Sequence, residues 1–306
     1  MGSYAAVDCG SLSTRLLVAT QQGTTLERLM RVTGLARGVD ANGSLGGEAV
    51  ERVLAVLTEY RRVMDAHGVT AVAMVGTSAL RDAGDRDSFV RRAEQVVGAE
   101  LEVLAGEEEA RLSFRGATAE LAGSGAPYFM VDIGGGGTEL ATGPAAFAAT
   151  SLDVGCVRLT ERHLHDDPPS ADEVDGARAW LRSLLSSAAR DLPQLREART
   201  MVGLAGTVSA LASFDQGLTA YDRDRVHHYR LERSAVRRAL TELLRVPAAE
   251  RAGRPGIEAA RAPFIVGGAV VLDEVMGRFG FDECLVSEAD ILDGLVARLA
   301  ERDARP

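Results

Sequence analysis

The sequence predicts an α/β protein built from two domains of similar construction. Predicted strands alternate with amphipathic helices along 306 residues, a length that suits two domains. A short apolar strand that ends in aspartate and runs through a glycine-containing loop into a second strand occurs twice, at Asp8 and at Asp132. A glycine- and proline-containing stretch at 121–127 is the best linker candidate. We therefore expect an N-terminal domain over 1–125 and a C-terminal domain over 126–306.

Apolar runs and helical spacing predict the elements of the first half in order. Residues 4–7 and 16–19 are expected strands on either side of the first loop. Apolar side chains recur at helical spacing between residues 47 and 67. A buried strand at 71–75, a helix at 88–97 and a strand at 101–104 follow. Gly106 then interrupts the chain before a helix that begins with glutamates, as the helix dipole favours.

The second half begins with the same pattern and becomes mainly helical. Strands are expected at 128–131 and 139–141, with four consecutive glycines between them. Residues 171–192 and 233–244 have amphipathic spacing, which predicts helices. Further strands at 200–203 and 284–286, and helices at 263–278 and from residue 291 onward, complete the predicted order.

The charge of the chain restricts its partners. Its 34 basic and 44 acidic side chains give a net charge of −10, and every fixed cation is arginine, since the sequence contains no lysine. Such a surface repels nucleic acid and anionic membranes at long range, so neither is an expected partner. A polyanionic substrate would need a local basic pocket, for which the planar guanidinium is well suited.

The cysteines and the N-terminus predict a cytoplasmic location. Cys9, Cys156 and Cys284 lie far apart and form no CxxC pair, so neither disulfides nor a zinc site are expected. The N-terminus lacks the basic and apolar regions of a signal peptide. No segment approaches the ~20 apolar residues that a membrane span requires.

The glycine-rich loops favour phosphate binding over a plain hairpin turn. Without a Cβ atom, glycine lets backbone N–H groups converge on an anion that approaches closely. The second loop supplies four glycines and a threonine, and the first loop adds two hydroxyls and an arginine. The predicted phosphate-binding residues are Gly10, Ser11, Ser13, Arg15, Gly134, Gly135, Gly136, Gly137 and Thr138.

Carboxylates beside these loops are candidate ligands for a metal ion. Asp8, Asp132 and Glu139 offer the hard oxygen donors that Mg²⁺ prefers, while a phosphate substrate would complete its coordination. The alternative is that each carboxylate only anchors the backbone of its loop.

Three further segments follow predicted strands, whose carboxyl ends form the ligand-binding edge of open α/β sheets. Thr77 precedes Arg81 by about one helical turn, Gly206 adjoins Thr207, and a glutamate run occupies 107–109. Arg81 could equally be an ordinary surface charge, and the glutamates could serve only to stabilise the start of a helix. The spacing of the residues does not indicate which of the three glutamates would be functional.

Together these motifs resemble the exopolyphosphatase/guanosine pentaphosphate phosphohydrolase family, within the actin/hexokinase/Hsp70-like superfamily. The resemblance covers nearly the whole chain and is closest to the short, actinobacterial-style form. It rests on the order of the segments 6–15, 75–83, 106–112, 131–140, 206–207 and 287–294.

The resemblance implies two ribonuclease-H-like domains with a cleft between them, and a C-terminal helix, about 291–306, that packs back on the first domain. It implies a phosphoanhydride hydrolase in which Glu109 is the general base. Arg81 would be the second catalytic residue and would bind the terminal phosphates together with Thr77, Gly206, Thr207 and the two loops. Mg²⁺, or Mn²⁺ in its place, would be the cofactor. The substrate would be inorganic polyphosphate or guanosine pentaphosphate. A homodimer is a further expectation for this chain.

Two residues depart from the family pattern. Leu12 stands where the family usually has asparagine, and Gly137 where it usually has serine. Each change removes a polar side chain whose hydrogen bond to a charged group is worth about 1.5–3 kcal/mol. A weakly active or non-catalytic protein that binds polyphosphate or alarmones is therefore an alternative.

Overall fold

The structure is a computed structural model that describes residues 2–121, 123–144 and 147–304. It divides into two compact units, one comprising residues up to Gly116 and from Asp290 onward, the other running from Ala117 to Ala289. The boundary between the units lies between residues 116 and 117, inside a helix, and so before the glycine-rich stretch that contains residue 125. Ala122 of the predicted linker, and residues 305 and 306 of the predicted last helix, lie outside the described residues.

The described residues form eleven strands and thirteen α-helices. The strands are β1 (Ser3–Cys9), β2 (Ser13–Thr20), β3 (Thr25–Val32), β4 (Val69–Gly76), β5 (Leu101–Val103), β6 (Tyr128–Ile133), β7 (Thr138–Gly143), β8 (Ala148–Leu152), β9 (Thr200–Leu204), β10 (Arg230–Glu232) and β11 (Glu283–Val286). The helices are α1 (Val39–Asn42), α2 (Gly47–Ala66), α3 (Ser78–Asp82), α4 (Arg86–Val97), α5 (Gly106–Thr118), α6 (Cys156–His163), α7 (Ala171–Asp191), α8 (Ala205–Asp215), α9 (Arg223–Val226), α10 (Arg233–Leu243), α11 (Ala248–Arg251), α12 (Ile265–Phe279) and α13 (Ile291–Asp303).

The first unit is a five-stranded sheet in the order β3-β2-β1-β4-β5. Strands β1 to β3 are antiparallel, and β4 and β5 run parallel to β1. Successive side chains of a strand face opposite sides of the sheet. Accordingly, Ala5 and Val7 join the core under α2 and α4, whereas Tyr4 and Ala6 join a second core under α13. Both faces of this sheet are therefore covered.

The second unit repeats this arrangement in a six-stranded sheet, in the order β10-β11-β9-β6-β7-β8. Strands β6 to β8 are antiparallel, and β9 runs parallel to β6. Helix α12 contacts α6, α7 and α10 and is buried along most of its length. None of the helices in the described part of the chain combines the length and apolar character that crossing a membrane requires.

The predicted α/β class and the two ribonuclease-H-like cores are confirmed, and the elements that the prediction omitted are informative. Strands β3, β8 and β10 are edge strands, partly exposed or only three residues long. They lack the continuous apolar run that identifies a central strand.

Helices α5 and α13 of the first unit approach each other through two glycines. A Cβ atom on Gly116 would lie 1.8 Å from the carbonyl oxygen of Asp290. One on Gly294 would lie 2.2 Å from the carbonyl oxygen of Leu112. Because both obstacles are backbone atoms, any side chain at these positions would force the two helices apart.

Gly294→Ala is expected to lower the free energy of unfolding by about 1–3 kcal/mol, the usual effect of overpacking. Gly47→Ala is the control, because a Cβ at Gly47, the first residue of helix α2, meets open space. Urea denaturation compares both variants with the parent chain. A Gly294→Ala variant as stable as Gly47→Ala would contradict the close helix crossing.

Candidate functional site

Each sheet carries a buried aspartate at the end of the first strand of its central hairpin. Asp8 pairs across β1 and β2 with Arg15, and Asp132 pairs across β6 and β7 with Glu139. Directly opposed residues of an antiparallel pair project from the same face. The two hairpins therefore share a register but present different side chains, a carboxylate with a guanidinium in one unit and two carboxylates in the other.

In the first unit, Arg15 neutralises Asp8 through one oxygen only. Oδ2 of Asp8 accepts hydrogen bonds from Nε of Arg15 at 3.0 Å and from Nη2 at 2.6 Å. Oδ1 is buried and has no partner among the described residues. Burial raises the pKa of Asp8, and the charge of Arg15 opposes that rise. Nη1 of Arg15 donates to Asp290 at 2.5 Å. Arg15, which the sequence predicts to bind phosphate, therefore lies between two carboxylates in the structure.

The first loop is held in place by its own backbone and by one hydroxyl. The Gly10 amide donates to the carbonyl of Ser13, and the hydroxyl of Ser11 accepts from the amide of Ala79 at 3.1 Å. Thr77 lies at the N-cap position of α3 in the same turn. The Leu12 side chain is buried. The structure therefore brings Ser11 and Thr77 to the same edge of the first sheet.

Glu109 differs from its two neighbours in burial and in partner. Nη1 of Arg81 donates to Glu109 at 2.6 Å and to the carbonyl of Leu104 at 3.0 Å. Glu107 is exposed, and Glu108 lies 3.5 Å from Arg111 on the helix surface. Of the three glutamates at the start of α5, Glu109 is therefore the one that packs into the first unit. The spacing of the residues in the sequence does not distinguish it from the other two.

The glycine loop of the second unit is supported from behind by helix α6. Amides of the first residues of α6 donate to the carbonyls of Gly134 and Gly135 at 2.9–3.1 Å, and Gly134 donates to Gly137 at 3.0 Å. The residues Gly135, Gly136 and Gly137 are buried, and no hydrogen bond between described residues occupies their amides. Buried N–H groups require an acceptor, and a row of them suits an anion such as phosphate.

The side chains after this loop divide into an anchor and a candidate metal site. The hydroxyl of Thr138 is fully buried and donates to the carbonyl of Val154 at 2.5 Å, so it fastens the loop. Glu139 accepts from the hydroxyl of Ser151 at 2.8 Å. Asp132 and Glu139 are 6% and 2% exposed. Two buried carboxylates on one face form an oxygen donor set that suits a hard divalent cation.

Helix α8 begins in an unusual conformation beside the same sheet. Ala205 has φ 68°, the left-handed region that alanine adopts only at a cost of about 1–2 kcal/mol. No side chain caps this helix. The hydroxyl of Thr207 is buried without hydrogen-bond geometry to a described residue, although it lies near enough to the Cys156 thiol to oppose the burial-driven rise in that thiol's pKa.

Arg261 is a candidate site residue that sequence reasoning missed. Its guanidinium lies directly against Gly206, where a Cβ atom would be 2.2 Å from Nη2. The residue is only 6% exposed, and no carboxylate in the described ranges pairs with it. A buried cation needs a counter-charge, so this one favours an anionic ligand. No sequence signal separates it from the other arginines, because burial of this kind arises only from tertiary packing.

Glu120, His227 and His228 offer ligand atoms within 4.8 Å of one another, as a metal site would. However, Nδ1 of His227 accepts the backbone amide of Glu288 at 3.0 Å. The neutral ring therefore carries its proton on Nε2, which faces a Glu120 oxygen 3.5 Å away. Burial lowers the pKa of His227, which keeps the ring neutral. A protonated nitrogen cannot bind metal, so the group is a polar contact.

Comparisons with known proteins identify what this chain is similar to. The model of the Ppx/GppA phosphatase family matches residues 17–303. Exopolyphosphatase 2 of Mycobacterium tuberculosis is 43% identical over 314 aligned positions, covering 97% of this chain and 98% of the relative. A crystal structure of an exopolyphosphatase-like protein is 34% identical with TM-score 0.93, covering 98% and 99% of the two chains. The Ppx/GppA member from Aquifex aeolicus is 28% identical with TM-score 0.79, covering 100% and 99%.

Gly155→Ala is expected to displace the second loop, because its Cβ atom would lie 2.5 Å from the carbonyl oxygens of both Gly134 and Gly135. A loss of about 2 kcal/mol corresponds to a fall in Tm of roughly 4–8 °C. Gly176→Ala on helix α7 meets open space and is the control. Thermal melting of both variants makes the comparison, and equal melting temperatures would show that α6 does not hold the loop as described.

Proposed function

Because the chain belongs to the Ppx/GppA phosphatase family, we propose that it is an exopolyphosphatase, which hydrolyses the terminal phosphoanhydride bond of inorganic polyphosphate. The observation that carries this proposal is the pairing of buried Glu109 with Arg81 at 2.6 Å. Glycine-rich loops alone favour phosphate binding of any kind. A carboxylate held for proton transfer is what favours hydrolysis.

In the proposed reaction, an oxygen of Glu109 accepts a proton from water as that water attacks the terminal phosphorus. A new O–P bond forms, the bridging P–O bond breaks, and orthophosphate leaves a chain shortened by one unit. Within the second unit, the amides of Gly135 to Gly137 and the guanidinium of Arg261 are the groups suited to the negative charge of phosphate oxygens. Arg81 keeps the Glu109 carboxylate oriented.

Mg²⁺ is the cofactor that we propose, with Mn²⁺ as its substitute. Each unit by itself has carboxylates that fit such an ion: in the first unit, Asp8 has a buried oxygen without a described partner, and in the second, Asp132 is directly opposite Glu139. All three supply the hard oxygen atoms that these cations prefer. When bound, the ion would neutralise charge on the phosphate oxygens.

The two departures from the family pattern are compatible with activity. Leu12 is buried, and its carbonyl accepts the amides of Thr33 and Gly34, so the first loop is ordered without a polar side chain. Gly137 retains a buried amide without a described acceptor. At Gly137 a backbone donor therefore remains where a side-chain donor is lost, and at Leu12 the loop keeps its order, so neither departure by itself removes phosphate binding.

Glu109→Gln is expected to reduce phosphate release from polyphosphate by about 10²–10⁴-fold, the usual contribution of a general base. Glutamine keeps the size of the side chain and a hydrogen-bond acceptor for Arg81 but cannot accept the proton. Glu107→Gln is the matched control, because Glu107 is exposed in the same helical turn. Initial rates with Mg²⁺ give the comparison, and equal rates for the two variants would exclude Glu109 as the base.

Guanosine pentaphosphate is the second substrate to test, because both substrates end in the same phosphoanhydride. The relative named above as exopolyphosphatase 2 favours polyphosphate. We expect a higher kcat/KM for polyphosphate when phosphate release from the two substrates is measured side by side. A higher kcat/KM for guanosine pentaphosphate would assign the site to the nucleotide instead.

A further inference from the structure

Asp8 belongs to a partly buried charge cluster that reaches the start of helix α13. Arg15 contacts Asp8 at 2.6 Å and Asp290 at 2.5 Å, and Arg28 contacts Asp293 at 2.6 Å and Asp290 at 3.5 Å. The cluster holds three carboxylates and two guanidinium groups, so its net charge is −1. Within it, the buried oxygen without a described partner is Oδ1 of Asp8.

The way in which Arg15 is shared explains why that oxygen is left over. Nε and Nη2 both donate to Oδ2 of Asp8, while Nη1 donates to Asp290. An arginine commonly binds a carboxylate with two parallel hydrogen bonds, one to each oxygen. Because Nη1 donates to Asp290, the guanidinium does not adopt that arrangement. Oδ1 of Asp8 is therefore left without a hydrogen-bond donor from the described residues.

We infer that Asp290 is a positioning residue, which restrains Arg15 so that Oδ1 of Asp8 remains available to a divalent cation. This inference rests on the metal role that the proposed function gives to Asp8. It assigns no contact between Asp290 and the ion, because Asp290 acts through Arg15.

Asp290 is fixed well enough for this role. Its Oδ1 accepts the amide of Leu292 at 2.9 Å, and its own amide donates to Asp293 at 2.7 Å, which together cap helix α13. The side chain is 10% exposed. Asparagine caps helices as well as aspartate does, so Asp290→Asn removes the charge that attracts Arg15 while preserving the cap.

The test is a calorimetric titration of the full chain with Mg²⁺ alone, without substrate. Asp290→Asn is expected to weaken binding about tenfold, as the loss of a hydrogen bond between charged groups would. Asp293→Asn removes the same charge but contacts Arg28 and not Arg15. It is expected to weaken binding by less than about threefold, since a more distant charge acts only through a screened field.

Arg28→Gln is a second variant, for which no loss of Mg²⁺ affinity is expected. It keeps the inference testable if Asp290→Asn fails to fold. Without Arg28, Asp290 retains its hold on Arg15 and the cluster becomes more negative, so Mg²⁺ should bind at least as tightly as to the parent chain. Equal affinities for Asp290→Asn and the parent, equal losses for Asp290→Asn and Asp293→Asn, or weaker binding by Arg28→Gln would overturn the inference. A parent chain that binds no Mg²⁺ would instead contradict the metal role in the proposed function.

Discussion

The pairing register of the two central hairpins determines what each unit can bind. In both hairpins a buried aspartate faces the residue seven positions later, at Asp8 with Arg15 and at Asp132 with Glu139. Burying a carboxylate is unfavourable unless an opposite charge or hydrogen bonds compensate it. The first unit supplies a guanidinium from the facing strand. The second places another carboxylate there, so its face is suited to a cation.

A second constraint is that the phosphate-binding backbone must be supported on one side and open on the other. Amides of helix α6 donate hydrogen bonds to the carbonyls of Gly134 and Gly135. Gly155 permits this close approach because it has no side chain. The amides of Gly135, Gly136 and Gly137 then have no described acceptor. Gly206 has the same relation to Arg261, whose guanidinium occupies the space that a side chain would fill. In both places a small residue allows charged or polar groups to come close.

The sequence predicted the parts of the candidate site that depend on local pattern. Asp8, Asp132 and the glycine loops follow apolar strands, and strand ends are where open sheets bind ligands. Glu109 could be separated from Glu107 and Glu108 only by the family resemblance, and the structure adds a physical difference in burial. Edge strand β3 is not predicted because half of its residues are polar, and in the structure none of them is fully buried.

Other features depend on contacts between distant parts of the chain, which local pattern does not encode. Arg261 faces Gly206 across a separation of 55 residues. Arg15 meets Asp290 across a separation of 275 residues. Arg15 itself was predicted as a phosphate ligand because it follows the first loop, whereas the structure shows it between two carboxylates. Such roles emerge only when tertiary packing brings buried charges together.

The most direct test of the account is to identify the products that the chain forms from polyphosphate of defined length in the presence of Mg²⁺. Hydrolysis at the terminal phosphoanhydride predicts orthophosphate from the outset, together with chains shortened from their ends, as gel electrophoresis of the remaining polymer would reveal. Fragments of intermediate length without orthophosphate, or an unchanged polymer, would contradict the assignment of this site to terminal phosphoanhydride hydrolysis.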